Sequence, residues 1–433
     1  MLRVIDLRGD SSDPREHFPR PATDRADVAA AVNGILDDVL ERGDAAVREL
    51  TQKFDGVELD DFLVPEKLRA AALDELDEDL RAALERAVDQ VRWFHERARP
   101  DDWEDARGGA RMGQWHRPVQ RAGIYVPGGK AAYPSTVVMT VVPAQVAGVD
   151  DIVLCTPPTG DGGQPNRTIL AAAELLGVDR VYRVGGAQAI AAMAYGTDTI
   201  PACDTIVGPG NVFVTQAKQR VQGEGRCSID AVAGPTEIAI VADHTADSRL
   251  LAADLVAQAE HDELATCLLI TTDESHVEGV AAALEDEVSR TRHRSRVQAA
   301  LDGQGTVMVV DDIDRAIEVA EAFAAEHLEV HTEDANKVAA SIRYAGTTFI
   351  GPQTPVSLGD YAAGPNHTLP TSGTARFNGG LSTTSFLVPV NWVAYDEEAL
   401  ADLAPTVDAL AAAEDLPAHA RAVQIRLEPG ERA

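Results

Sequence analysis

Apolar and polar positions in the first 120 residues recur at helical spacing. Between Asp77 and Arg97, for example, Leu80, Leu84, Val88 and Val91 form one stripe at intervals of three and four. From Gly123 to about Val241 the texture changes. Short β-rich runs at Ile152–Leu154, Val181–Val184 and Thr205–Val207 alternate with Ala-rich stretches over 166–176, 186–195 and 211–221, and Gly turns separate them. A second block repeats the pattern, with strands predicted at Glu237–Val241, Cys267–Thr271, Val307–Val310 and Thr347–Ile350 and helices near 248–261, 274–288, 312–325 and 334–342. Such alternation predicts parallel strands joined by crossover helices. No sequence repeat accompanies the repeated architecture. Beyond about residue 380 the pattern turns irregular and then closes in a short helical tail. The expected organisation is therefore α/β, with a helical segment over 1–120, α/β units over 121–235 and 236–380, and a tail over 381–433.

Composition changes this picture mainly through charge. The chain of 433 residues has 70 Asp and Glu against 38 Lys and Arg, a formal net charge of −32. Only Lys53, Lys67, Lys130, Lys218 and Lys337 supply the lysines. An acidic surface that favours Arg over Lys fits a halophilic protein, because salt screens its self-repulsion; a merely acidic mesophilic enzyme is the alternative. The same charge argues against nucleic acid or an anionic membrane as partner. The opening Met-Leu-Arg-Val-Ile-Asp-Leu-Arg lacks the apolar core of a signal peptide, and no apolar run approaches the roughly 20 residues that span a bilayer. Cys155, Cys203, Cys227 and Cys267 are scattered without a Cys-x-x-Cys pair, which fits reduced thiols in a cytoplasm and offers no thiolate zinc site.

Several segments could carry chemistry. In the run ending Gln258-Ala-Glu260-His261, Leu251, Leu255 and Gln258 lie on one helical face and His261 continues it. An amide and an imidazole three residues apart can converge on a metal ion; a satisfied core histidine is the structural alternative. Glu326-His327-Leu-Glu329-Val-His331 runs from a helix into a strand, where an adjacent acid and imidazole suit proton transfer, or simply helix-end capping. The loop from Ser357 to Thr371 carries Asp360, Asn366 and His367 among Gly and Pro, and Glu414 and His419 stand five apart in the tail. Gly-rich turns at Tyr125-Val-Pro-Gly128-Gly129-Lys130, Gly185-Gly186-Ala-Gln188 and Gly208-Pro-Gly210-Asn211 each follow a predicted strand. They could present backbone N–H groups to a pyrophosphate, or could be plain tight turns, since none completes Gly-x-Gly-x-x-Gly.

In order and spacing these fragments resemble the histidinol dehydrogenase family over roughly residues 25 to 430. The most specific stretch is Ile229-Asp230-Ala-Val-Ala-Gly234-Pro235-Thr236-Glu237 followed by Gln258-Ala-Glu260-His261. Local departures are Lys130 after the double Gly and Arg421 two residues past His419, where some members have Asn. The resemblance implies two incomplete Rossmann-like domains, a homodimer whose tail reaches the partner's site, and two NAD-linked oxidations of L-histidinol through the aldehyde to L-histidine, the last step of histidine biosynthesis. It implies one zinc ion per subunit on Gln258, His261, Asp360 and His419. The implied NAD contacts are Tyr125, Gln188 and Asn211. The implied substrate contacts are Thr236, Gln258, His261, His327, Asp360, Glu414 and His419. His327 would take the alcohol proton and Glu326 would activate the water that hydrates the aldehyde.

Other function classes leave different marks. An aldehyde dehydrogenase of the thiol type needs a nucleophilic Cys, and none of the four sits in a suitable motif. A zinc hydrolase would ignore nicotinamide. A metal-binding solute protein would need export.

Overall fold

The computed structural model describes residues 2–19, 25–128, 132–159, 161–231 and 234–428. In chain order the strands are β1 (Arg3–Asp6), β2 (Trp103–Arg107), β3 (Ala110–Pro118), β4 (Arg121–Tyr125), β5 (Asp151–Cys155), β6 (Arg180–Tyr182), β7 (Thr205–Val207), β8 (Ser228–Ile229), β9 (Glu237–Ala242), β10 (Thr266–Thr271), β11 (Gly305–Val309), β12 (His327–His331), β13 (Thr347–Ile350) and β14 (Leu387–Tyr395). The chain divides into two compact units: Met1–Ala98 with Val119–Phe386, and Arg99–Pro118 with Leu387–Ala433.

The first unit holds two parallel sheets. The five-stranded one runs β6-β5-β4-β7-β8, and the six-stranded one runs β1-β11-β10-β9-β12-β13. Numbered from its own first strand, each carries the order 3-2-1-4-5, a doubly wound sheet without its sixth strand. This is the α/β architecture of two incomplete Rossmann-like units expected from the sequence. The N-terminal β1 adds to the second sheet by pairing in parallel with β11, which the helical reading of the opening segment did not anticipate.

Burial explains the apolar strand runs. Ile238 and Ile240 of β9 enter one core with Leu255 and Leu269, while Ala239 and Val241 enter another with Leu268 and Phe323. A strand covered on both faces reads as continuously apolar. In β12 the alternation is different. Leu328 and Val330 fill the second core, so His327, Glu329 and His331 point to the opposite face, where helix Ser248–Ala259 packs.

The second unit departs from the sequence reading. Residues 103–118, placed in a helical segment, form β2 and β3, and β14 pairs antiparallel with β3 from Leu387↔Pro118 to Tyr395↔Ala110. The tail expected to be irregular and then briefly helical is this strand followed by helices Glu397–Ala413 and Pro417–Leu427. Every residue of β2 is exposed, so no buried face imposes a period-two pattern on it. No helix among the described residues is long and apolar enough to cross a membrane.

Candidate active site

The acid and imidazole predicted at the helix–strand boundary lie at the amino end of β12, beside the amino end of β9. Glu326 and His327 are both buried. Glu326 Oε2 accepts hydrogen bonds from Thr236 Oγ1 at 2.5 Å and from the Glu237 backbone N–H at 2.9 Å. Burial pushes its carboxyl up to about 7, despite those two donors. His327 Nδ1 stands 3.2 Å from the Glu237 carbonyl oxygen and 3.6 Å from Glu326 Oε2. A carbonyl only accepts, so Nδ1 carries the hydrogen and Nε2 keeps its lone pair. Burial also lowers the pKa of this ring, which keeps it neutral.

Thr236 joins this pair to the predicted metal ligands. Gln258, fully buried at the end of helix Ser248–Ala259, donates from Nε2 to Thr236 Oγ1 at 2.6 Å. An amide N–H can only donate, so the Thr236 hydroxyl must accept from it and donate its own proton to Glu326. The sequence placed Thr236 among substrate contacts; the structure engages its hydroxyl between two other site residues. Gln258 Oε1 is consequently fixed in direction, and it is buried with no hydrogen-bond partner. Such an orphaned oxygen is costly unless it has a ligand. His261, just past the helix, has its ring 42% exposed with Nε2 3.5 Å from Asp360 Oδ2. Partial desolvation of the His261 ring and burial of Asp360 oppose charge on each, but their mutual attraction prevails, raising His261 and lowering Asp360. Two ligand atoms each about 2.1 Å from one tetrahedral ion lie roughly 3.4 Å apart. The orphaned amide oxygen and this carboxylate–imidazole spacing therefore fit a zinc ion.

Asp360 stands in the short helix Val356–Tyr361, and the loop after it is tied down. His367 Nδ1 is 2.8 Å from the Asp360 carbonyl and its Nε2 is 3.3 Å from Thr136 Oγ1, while Asn366 donates to the Met139 carbonyl. His367 thus holds the loop. Glu414 and His419 belong to the second unit, Glu414 capping the end of helix Glu397–Ala413 and His419 in the first turn of the next; both are exposed.

The residues predicted to meet NAD gather at the carboxyl edge of the five-stranded sheet, where dinucleotides lie in doubly wound folds. Tyr125 ends β4, Gln188 sits in the first turn of the helix after β6, and Asn211 follows β7. The Tyr125 hydroxyl accepts from the Gly186 N–H at 3.1 Å, and Asn211 Oδ1 caps its helix by accepting from Phe213 and Val214. Gly208 has φ +120°, and a Cβ there would collide with the Tyr125 carbonyl oxygen. The buried Lys218–Asp230 pair holds Gly208 at both ends, Lys218 Nζ donating to its carbonyl at 3.0 Å and Asp230 accepting from its N–H at 2.8 Å. Gly129 and Lys130 lie outside the described residues.

The sequence reading assigned no role to one further group. Asp254, Glu329 and His331 form a buried cluster whose ligand-type atoms all lie within 4.8 Å of one another. Its traces were Asp254 one turn before Gln258, and Glu329 and His331 at alternate positions after His327. All four cysteines are buried, and burial pushes Cys227 up to about 11 and Cys267 up to about 12, with Cys155 and Cys203 also raised. None is poised as a thiolate nucleophile.

An α/β protein with a glycine-turn edge on one parallel sheet and a buried acid–imidazole pair beside candidate metal ligands on the other has the parts of a dehydrogenase. The family is shown by comparison: the histidinol dehydrogenase family model matches residues 18–427, and the chain belongs to that family. It is 49% identical to the histidinol dehydrogenase of Mycolicibacterium smegmatis, covering 98% of this chain and 97% of that one. It is 50% identical to that of Nocardia farcinica, covering 99% and 98%. A crystal structure of histidinol dehydrogenase from Elizabethkingia anophelis superposes with a TM-score of 0.95 at 35% identity, covering 99% of this chain and 98% of that one.

Proposed function

We propose that this chain oxidises L-histidinol through L-histidinal to L-histidine at one site, reducing two NAD, with one zinc ion per subunit. The observation that carries the reading is the chain Glu326–Thr236–Gln258, which joins a buried acid/base group to an orphaned amide oxygen. Residues 121–235 form the NAD side, with Tyr125, Gln188 and Asn211 shaping the turns that meet the cofactor. Residues 236–380 form the metal and acid/base side. Gln258, His261, Asp360 and His419 would hold zinc, which when bound supplies a Lewis acid that orients the substrate's imidazole and amine. NAD is the hydride acceptor for both oxidations.

The side chains divide the proton transfers. His327 Nε2, neutral and with its lone pair free, takes the hydroxyl proton as the alcohol becomes an aldehyde. Glu326 has both donors on Oε2, which leaves Oε1 to take a proton from the water that adds to the aldehyde. The resulting hydrate has a second hydride to give and collapses to the carboxylic acid. A carboxyl titrating near 7 serves as such a base at neutral pH, when enough of it is ionised. Thr236, Gln258, His261, His327 and Asp360 line the substrate's place. Glu414 and His419 would complete it from the partner subunit. The second unit would suit a homodimer, since Val388, Val390, Val393, Leu410 and Ile425 are each exposed there.

The test is Glu326→Gln assayed in each half-reaction. The variant should lose roughly 100-fold or more in histidinal oxidation and much less in histidinol oxidation. Equal losses in both would mean that the two bases do not divide the work in this way.

A further inference from the structure

The buried cluster of Asp254, Glu329 and His331 touches all three elements that carry the proposed site. Asp254 is on helix Ser248–Ala259, one turn before Gln258 on the same face. Glu329 is two residues after His327 on β12, so it projects from the same side of the sheet. Its Oε1 accepts from the backbone N–H of Val356 at 2.7 Å, fixing the first residue of the helix in which Asp360 stands one turn later. Its Oε2 is 3.4 Å from His331 Nε2. A carboxyl oxygen of Asp254 lies within 4.8 Å of ligand-type atoms of both Glu329 and His331. Glu329 is completely buried, and Asp254 and His331 nearly so.

Two carboxyl groups in contact inside a protein do not both ionise, because neither burial nor mutual repulsion allows it. Burial first, and the adjacent Glu329 second, raise the Asp254 carboxyl above the usual carboxylate range, which favours its protonated form. Glu329 Oε1 accepts from Val356, while Oε2 faces His331 Nε2 at 3.4 Å and makes no hydrogen bond of its own, so a protonated Asp254 can serve as donor to the Glu329 carboxyl.

We propose that Asp254 and Glu329, backed by His331, are positioning residues that clamp the Gln258 helix and the Asp360 helix onto the His327 strand and so set the distance between the zinc ligands. The inference rests on the zinc site proposed above. The clamp needs a donor at position 254 and an acceptor at 329. It does not need charge at 254, and that separates it from a cation site built on the same three side chains.

Zinc affinity, measured by competition with a chromophoric chelator on the full chain, tests this without relying on turnover. Asp254→Asn keeps a donor of the same shape and should bind zinc within about threefold of wild type. Asp254→Leu leaves Glu329 without its partner and should bind about 10- to 100-fold more weakly, with kcat falling alongside and KM for NAD unchanged. If the Leu variant does not fold, Asp254→Ala is read in the same titration. Wild-type affinity in the folded Leu or Ala variant would overturn the clamp. So would an Asn variant as weak as the Leu one, since ionised Asp254 would then be required. A second equivalent of zinc in wild type that disappears in Asp254→Asn would also overturn it, in favour of a cation site. A wild-type chain that takes up no zinc would instead overturn the proposed function, and the clamp's role with it.

Discussion

Thr236 is the residue on which the account turns, because its hydroxyl can face only one way. It accepts from the Gln258 amide and donates to Glu326. That donation favours ionised Glu326, against the burial that raises its pKa. Thr236→Val keeps the shape and removes the donor. Its folded Glu326 should titrate higher, so the acidic limb of the pH–rate profile for histidinal oxidation should move upward and activity at neutral pH should fall about tenfold. An unmoved limb would separate Thr236 from the base. At this scale Gln258, His261, Glu326, His327 and Asp360 could be singled out in the sequence as candidates, because polar groups interrupt an apolar stripe, stand at an element boundary or, for Asp360, sit in a Gly- and Pro-punctuated loop. The role of Thr236 was not, since a hydroxyl's direction depends on partners 22 and 90 residues away. Asp254 and Glu329 were missed because each looks like an ordinary polar interruption until the helix and the strand meet.

Among the elements, the parallel strands and their crossover helices were legible because burial on both faces gives continuous apolar runs with Gly turns between. The sheet of β2, β3 and β14 was not, since β14 meets β3 across more than half the chain and the exposed β2 carries no core pattern. The packing of helix Ser248–Ala259 on β12 makes a prediction of its own. Burial first, and Glu329 second, push the Asp254 carboxyl up from 3.8 to about 8. The folded chain therefore keeps a proton that the unfolded chain releases above about pH 4. This contribution to stability is whole below that pH and is lost as pH rises towards 8. Asp254→Asn removes the titration. Compared by urea unfolding, it should gain on wild type between pH 5 and pH 8, at no more than about 1.4 kcal/mol per pH unit. A constant difference across that range would show that Asp254 is ionised in the folded chain.

For the whole molecule, the proposed homodimer carries a prediction. If His419 of the partner subunit completes each site, inactive His261→Asn and His419→Asn chains refolded together should regain about a quarter of wild-type activity. Random mixing makes half the dimers mixed, each with one intact site. No recovery in proven mixed dimers would place His419 in its own subunit's site or in none. The central claim is that one metal-dependent site performs both oxidations. It is tested most directly by counting reduced nicotinamide formed per histidinol consumed, by enzyme as isolated, after chelation, and after zinc is restored. The account predicts two per histidinol with histidine as product, loss on chelation and return with zinc. One per histidinol with histidinal accumulating, or the full yield and rate from metal-free enzyme, would contradict it.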